Sequence, residues 1–351
     1  MIERYLQSVK LDPEDADAWI NLGDAYYNIN NFDKAIECYQ KALEINPYFS
    51  EVYNNIGLAF SMKKELDKAI TYYKKALELD PSDATIYYNL GFAYEDKNDF
   101  QTALDYYMKA LEYEPSNTDA WNNMALIYRK QEQHKKAIKC YEKAIKINPD
   151  DSLLCNNLAT LYYDIKDYDK AILYYKKALE LEPDNADLWC ELADIAYELN
   201  DYDLAIDYYK KAVEIDPFFI EAWNDLGLSY NLKEKYNESV ICFKKALEIT
   251  PDDPILFENL GFSYYALNDY DNAIYYYQKV LDKESDNISA RLKLGEMYCN
   301  IKKDYKKAII QYENLLKLKP KNLDFCKSLA YCYEKLKMFD KAKKCRDMSF
   351  K

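Results

Sequence analysis

Proline recurs every 34 residues along most of this chain. The recurring residues are Pro13, Pro47, Pro81, Pro115, Pro149, Pro183, Pro217 and Pro251. Between two of them, residues 84–117 place small and apolar residues at helical spacing in two blocks, Tyr87, Leu90, Gly91 and Tyr94, then Ala103, Tyr107 and Ala110. Because proline cannot continue a helix, each 34-residue repeat is predicted to contain two helices, A and B, followed by a loop. An array of such repeats lengthens as each repeat stacks on its neighbours, and it needs no single central core.

This pattern resembles the tetratricopeptide repeat. The signature of that repeat is an aromatic residue, Leu-Gly and Tyr in helix A, then Ala, an aromatic residue, Ala and a closing Pro. The resemblance implies an all-α fold, a right-handed α-solenoid superhelix of antiparallel helix pairs. It also implies that the chain binds other proteins and carries out no catalysis.

The spacing divides the chain into an N-terminal half repeat at residues 1–15, which holds a helix B only, and ten repeats. The repeats, numbered 1 to 10 below, span residues 16–49, 50–83, 84–117, 118–151, 152–185, 186–219, 220–253, 254–287, 288–322 and 323–351. Repeat 9 has one extra residue, which is expected in its inter-helix turn near Lys302-Lys303-Asp304. Repeat 10 is short and has Lys343 and Arg346 where other repeats are apolar, so it is predicted to be a C-terminal cap.

All six glycines occupy position 8 of a repeat, and the other four repeats have alanine there. Glycine in a helix interior costs about 1 kcal/mol relative to alanine. A small residue at this position therefore indicates that helix A packs closely against helix B. No glycine is left for a phosphate-binding loop or a dinucleotide fingerprint, which excludes both kinds of nucleotide site.

The net charge of −14 argues against nucleic acid as a partner, since contacts to phosphate dominate that affinity. There is no apolar run of about 18 residues, the length that a membrane span needs. The first residues lack the apolar stretch of a signal peptide. Nine cysteines without CxxC spacing are typical of reduced thiols that pack as small hydrophobes. We therefore expect a cytoplasmic protein with neither a membrane nor a nucleic-acid partner.

Catalytic and metal-binding residues are not predicted. His134 is the only histidine, so the sequence does not predict a catalytic Ser-His-Asp or Cys-His arrangement. Cys326 and Cys332 are six residues apart on one predicted helix, have no histidine nearby and do not suggest a metal site. We expect no enzyme activity, no cofactor and no metal.

The candidate binding residues lie on helix A. In tetratricopeptide arrays, positions 2, 5, 6 and 9 of helix A line the concave groove of the superhelix. Position 6 is asparagine in the first five repeats and again in repeat 8, at Asn21, Asn55, Asn89, Asn123, Asn157 and Asn259. The row resembles the asparagine ladder in the repeat region of O-linked N-acetylglucosamine transferase, whose amides clasp the main chain of an extended polypeptide. An amide both donates and accepts hydrogen bonds, so it can pair with a backbone of any sequence.

Carboxylates accompany this row, and we include Asp24, Asp194 and Asp225 in the predicted peptide-binding set. Their negative field favours a neutral or basic segment over an acidic one. Repeats 6, 7 and 9 depart from the row with Glu191, Asp225 and Lys293. Co-chaperones of the family bind acidic tails through Lys and Arg at these groove positions. Repeats 1–3 lack those residues there, so that activity is not expected here.

Three functions follow as hypotheses. The first is a non-enzymatic scaffold that binds an extended, neutral or basic segment of another protein in its concave groove. The second is a self-assembling structural protein, in which the unpaired N-terminal helix and the basic C-terminal repeats mediate contacts between copies. The third is the substrate-recruiting arm of a larger transferase. An alternative interpretation of the asparagine row is that asparagine before Leu-Gly is simply common in this repeat class.

Overall fold

The computed structural model describes residues 1–320 and 322–348. These residues form 21 α-helices and one π-helix and contain no strand, which confirms the predicted all-α helical repeat fold. Residue 321 of repeat 9 and residues 349–351 of repeat 10 lie outside the described residues. Within the described part of the chain, no helix is both long and apolar enough to cross a membrane.

The chain divides into two compact units, residues 1–181 and residues 182–351. The helices of unit 1 are α1 Ile2–Leu11, α2 Ala16–Tyr27, α3 Phe32–Ile45, α4 Ser50–Met62, α5 Leu66–Leu79, α6 Ala84–Asp96, α7 Phe100–Tyr113, α8 Thr118–Lys130, α9 His134–Ile147, α10 Ser152–Asp164 and α11 Tyr168–Leu181. Those of unit 2 are α12 Ala186–Glu198, α13 Tyr202–Ile215, α14 Ile220–Leu232, α15 Tyr236–Ile249, α16 Pro254–Ala266, α17 Tyr270–Lys283, α18 Ile288–Glu296, α19 Tyr305–Leu318, α20 Leu323–Lys335 and α21 Phe339–Met348. The π-helix Met297–Ile301 follows α18.

Local signals at both ends of each helix pair explain these bounds. In most repeats an Asp or Asn caps helix A, as where the Asp15 carboxylate accepts a hydrogen bond from the Ala18 N–H at 3.1 Å. Helix B ends two residues before the recurring proline, and one residue separates the helix from the proline. That residue is extended, as Asp12 is with φ −135° and ψ 93°, because proline disfavours the helical conformation of the residue before it.

The core of each unit is a series of aromatic rings at position 24 of helix B, each packed on position 8 of helix A. In unit 1 the rings of Tyr39, Tyr73, Tyr107, Tyr141 and Tyr175 are almost completely buried. A Cβ added to Gly57 would lie 2.5 Å from Cε1 of Tyr73. The small residue at position 8 therefore makes room for an aromatic ring. This is the physical reason for the predicted close packing of helix A against helix B.

The tryptophan at position 4 fastens helix A to the loop before it. The indole N–H of Trp19 donates to the carbonyl oxygen of Pro13 at 3.0 Å, and that of Trp121 donates to Pro115 at 3.1 Å. Trp189 and Trp223 repeat the contact in unit 2 with Pro183 and Pro217. This bond satisfies the polar atom of a half-buried ring, as tryptophan usually requires.

Repeat 9 differs from the expectation for its extra residue. The turn keeps its usual geometry, with Lys303 at φ 54°, close to the φ of the corresponding residue in every other repeat. The added residue is instead taken up at the end of helix A, where Met297–Ile301 form a π-helix. A π-bulge is the common way for an α-helix to hold one more residue. Cys299 of this segment lies beside Cys332, with 3.4 Å between their sulfurs.

Every inter-helix turn contains one residue in the left-handed region, and none of these residues is glycine. They are Asn30, Lys64, Asn98, Glu132, Lys166, Asn200, Glu234, Asn268, Lys303 and Lys337, with φ between 54° and 62°. In repeat 4 this conformation lets the Gln133 N–H donate to the carbonyl oxygen of Tyr128 at 2.8 Å, which closes the end of α8. Asparagine tolerates this region well, whereas lysine and glutamate are strained in it.

Replacing Glu132 by glycine should therefore raise the free energy of unfolding by about 0.5–1 kcal/mol, because glycine adopts φ 57° without a Cβ clash. Urea denaturation followed by circular dichroism would measure the change. Asn98→Gly is the matched control and should change stability less, since asparagine already suits φ 61°. Equal effects at both sites, or a loss at Glu132, would contradict the strain argument.

Candidate peptide-binding face

The candidate site in unit 1 is the side of α2, α4, α6, α8 and α10 that carries positions 6 and 9, called the helix-A face below. Positions three apart on a helix lie on one side, so each position 6 is a neighbour of the position 9 of the same helix. Asn21 is exposed on this face, whereas Asn55, Asn89, Asn123 and Asn157 are half-buried. The helix-A face of unit 2 carries Asp194, Asp225 and Asn259, also half-buried.

The asparagine amides form hydrogen bonds between successive repeats. The Asn89 Nδ2 donates to Asn54 Oδ1 at 2.9 Å, and the Asn157 Nδ2 donates to Asn122 Oδ1 at the same distance. Asn259 makes the same bond to Asn224 in unit 2, also at 2.9 Å. Position 6 of one repeat thus binds position 5 of the repeat before it, which fixes the orientation of the side chain. The side-chain oxygens (Oδ1) of Asn89, Asn157 and Asn259 accept no hydrogen bond within the described residues.

The other three amides of unit 1 depart from this scheme. Asn123 donates to the hydroxyl groups of Tyr88 at 3.2 Å and Tyr107 at 3.3 Å. Asn21 donates to the carbonyl oxygen of Asp17 in its own helix at 2.8 Å. Asn55 makes no hydrogen bond within the described residues, because position 5 of repeat 1 is Ile20, which cannot accept one.

Two of the three predicted carboxylates, Asp24 and Asp194, make the same contact with a tyrosine of helix B. The Tyr39 hydroxyl donates to Asp24 Oδ1 at 2.6 Å, and the Tyr209 hydroxyl donates to Asp194 Oδ1 at 2.5 Å. Asp225 accepts from the Asn224 Nδ2 at 2.9 Å. Burial raises the pKa of Asp225 to about 6, and the nearby Asp194 carboxylate adds to this increase. Burial also raises the pKa of Asp194.

Apolar residues at position 9 belong to the same face and were missed from the sequence, where only charge was considered at this position. Phe92 is 42% exposed and Phe262 is 46% exposed. Leu58 and Leu126 lie at position 9 on either side of Phe92 in unit 1. The position 5 asparagines were missed as well, although the doublets Asn54-Asn55 and Asn122-Asn123 signal them.

Other chemistry has few candidates in the described residues. No group of three or more His, Cys, Asp or Glu side chains there could hold a metal ion. All nine cysteines are buried free thiols. Burial raises the pKa of the Cys38 and Cys140 thiols to about 11, so these sulfurs are protonated at neutral pH and poor nucleophiles.

Four family models together match most of the chain. The model described as the C-terminal domain of cilia and flagella-associated protein 70 matches residues 3–162. Models of the tetratricopeptide repeat match residues 156–218, 227–268 and 254–287. A search of curated proteins found no match.

Solved structures are similar to the chain as well. The crystal structure of MamA is 32% identical in sequence, with 97% of its chain and 47% of this chain covered and a TM-score of 0.44. The C-terminal part of a TPR repeat-containing protein from Cytophaga hutchinsonii is 21% identical, with 99% of its chain and 69% of this chain covered and a TM-score of 0.61. PilF of Pseudomonas aeruginosa is 24% identical, with 92% and 57% covered and a TM-score of 0.50. The last two share the fold of this chain.

Proposed function

The chain belongs to the tetratricopeptide-repeat family, and we propose that it is a non-enzymatic scaffold that binds an extended, neutral or basic segment of another protein on its helix-A face. A repeat scaffold of this kind is suited to protein–protein interaction, because stacked repeats present one continuous surface. The buried thiols further support our proposal that it acts in the cytoplasm, where cysteines stay reduced.

This proposal rests on the position 6 asparagines whose side chains are fixed by hydrogen bonds to the preceding repeat. Asn89 and Asn157 use their N–H groups to bind the preceding repeat, and their carbonyl oxygens accept nothing from the described residues. A carbonyl oxygen held in place can accept a hydrogen bond from a main-chain N–H of a partner without loss of side-chain freedom. The partner's backbone, rather than a particular side chain, is then what these amides recognise.

Charge on the same helices supports the preference for a neutral or basic segment. Asp17, Glu51 and Asp119 occupy position 2 of α2, α4 and α8 and are exposed. Their field attracts a basic segment and repels an acidic one, mostly through the rate of association. This contribution should weaken as ionic strength rises, whereas the amide hydrogen bonds should not.

The test selects binders from a displayed library of random unstructured peptides and measures their affinity by fluorescence anisotropy. Two changes should each weaken binding by about tenfold or more, the loss expected when hydrogen bonds of this kind are removed. The first replaces Asn21, Asn55, Asn89, Asn123 and Asn157 by alanine. The second methylates alternate main-chain nitrogens of the selected peptide, which removes the N–H donors and leaves the protein unchanged.

The matched control places five alanines at exposed positions of helix B, replacing Glu37, Thr71, Asp105, Lys139 and Leu173. This control should bind as the wild type does. Circular dichroism verifies that the variants are folded, which matters because Asn54 and Asn122 lose their donors in the first variant. Binding that survives both the asparagine changes and the N-methylation would refute backbone recognition by this face.

A further inference from the structure

One set of five residues recurs with the same spacing in each of the two units. In unit 1 it consists of Asp24, Tyr27, Tyr39, Asn55 and Leu58. Adding 170 to each number gives the second set, Asp194, Tyr197, Tyr209, Asp225 and Leu228. Four of the five residues are identical, and the only change is an aspartate in the place of an asparagine.

In unit 1 the five side chains line a cavity of about 80 Å³. One oxygen of Asp24 accepts the Tyr39 hydroxyl at 2.6 Å, which orients the carboxylate and leaves its second oxygen available. Asn55 makes no hydrogen bond within the described residues, and Leu58 supplies an apolar wall. The space exceeds the ~10–15 Å³ that one water molecule needs, so it can hold a small polar group together with part of an apolar stem.

In unit 2 the same arrangement is more acidic. The Tyr209 hydroxyl orients Asp194 at 2.5 Å, as Tyr39 orients Asp24. Asp225 replaces the asparagine, and the Asp194 carboxylate is close enough to disfavour the charged form of Asp225. Two half-buried carboxylates side by side disfavour each other's charge, and a cation between them removes much of that penalty.

We propose that each arrangement is a pocket for a lysine side chain of the bound segment, and that the two-carboxylate pocket of unit 2 binds it more tightly than the pocket of unit 1. This inference rests on the proposed function, because the lysine belongs to the polypeptide that lies on the helix-A face. Asn55 occupies position 6 in unit 1 and Asp225 occupies position 6 in unit 2, so a segment that lies along the position 6 residues of either unit passes the pocket of that unit.

Lysine fits the pockets better than the other cations. Its ammonium is compact, donates three hydrogen bonds and sits on an apolar stem, which matches a carboxylate, an amide oxygen, a phenol and a leucine wall. An arginine guanidinium is a wide planar fork that prefers two carboxylate oxygens side by side, and Tyr39 already occupies one oxygen of Asp24. A metal ion is disfavoured, because no group of three potential ligands among the described residues could hold one.

The test uses a peptide that the random library yields and that binds through its main chain. Each lysine of this peptide is replaced in turn by norleucine, which keeps the stem and removes the charge, and by arginine. Norleucine at one lysine should weaken binding to the wild type by about tenfold. If that lysine occupies the pocket of unit 1, the same replacement should hardly change the affinity of the Asp24→Asn variant. If it occupies the pocket of unit 2, the replacement should hardly change the affinity of the Asp194→Asn variant.

Asn55→Asp provides a gain-of-function test that does not depend on losing stability. It gives the pocket of unit 1 the two carboxylates of unit 2, so a lysine bound there should bind several-fold more tightly while norleucine does not. Asp105→Asn, which changes an exposed carboxylate on α7, is the control for net charge and should leave the lysine preference intact.

Failure of this inference is distinguishable from failure of the proposed function. Peptides that bind through their N–H groups but show no lysine preference would refute the pockets and leave the scaffold standing. A peptide with arginine in place of the lysine that binds equally tightly would also refute the pockets. So would an Asn55→Asp variant that binds the lysine peptide no more tightly than the wild type does. A library without any binder that depends on the asparagine row would refute the proposed function itself.

Discussion

Replacing Gly57 by leucine should lower the free energy of unfolding by about 3 kcal/mol, the upper part of the range for overpacked cores. A Cβ at this position alone would lie 2.5 Å and 2.6 Å from two ring carbons of Tyr73, which is 1% exposed and has no open space to move into. Leucine adds three more carbons at the same place. Urea denaturation followed by circular dichroism would measure the loss.

Two controls separate this clash from a general effect of leucine. Glu78→Leu adds the same side chain at an exposed position of helix α5 and should change stability by less than about 0.5 kcal/mol. Gly57→Ala should cost much less than leucine, because alanine stands at the same position beside the buried Tyr141 in repeat 4 and favours the helix by about 1 kcal/mol. A leucine variant as stable as the wild type would show that helix A and helix B are not closely packed here.

Replacing Asp225 by asparagine should raise the free energy of unfolding by about 2 kcal/mol at pH 7.5. Burial raises the pKa of this carboxyl from an ordinary value of 3.8 to about 6, so the folded protein disfavours its charged form. Asparagine keeps the acceptor oxygen for the Asn224 amide and removes the charge. Repeat 2 already has the amide, Asn55, at the equivalent place.

The gain should depend on pH in one direction. Below about pH 3 the carboxyl is protonated in both the folded and the unfolded chain, so the variant and the wild type should be equally stable. Between pH 4 and pH 6 the unfolded chain ionises first, and the penalty in the wild type grows. Above pH 6 the full difference should remain.

Thermal or urea denaturation at about pH 3, 5.5 and 7.5 would measure this profile. Asp207→Asn, on the exposed side of α13, is the control and should show no comparable gain. A gain that is equal at all three pH values would contradict the assignment to ionisation. A stabilised variant that has lost its lysine preference would mean that the charge at Asp225 is kept for binding at a cost in stability.

Much of the fold could be predicted because its signals are local. The proline spacing marks the end of helix B, a capping Asp or Asn marks the start of helix A, and the small residue at position 8 marks the packed face. The extra residue of repeat 9 could be counted from the sequence but not placed correctly, since either a longer turn or a π-helix can accommodate one added residue. Only the structure puts it at Met297–Ile301.

The candidate site was predictable in its position but not in its contacts. Position 6 was identified from the repeat, yet nothing local to Asn89 reveals that its N–H binds Asn54, 35 residues earlier. Such a partner depends on how one repeat lies against the next. The pocket at Asp24 was hidden for the same reason, because its five residues come from three helices and meet only after the repeats pack.

The π-helix of repeat 9 has a consequence for how arrays of this kind change length. One residue inserted into an α-helix would turn everything behind it by about 100°. Here the wide turn at Met297–Ile301 absorbs that rotation before the helix ends, and α19 begins with the same turn geometry as its counterparts. A single inserted residue is thus accommodated in repeat 9 while helix B keeps its usual start.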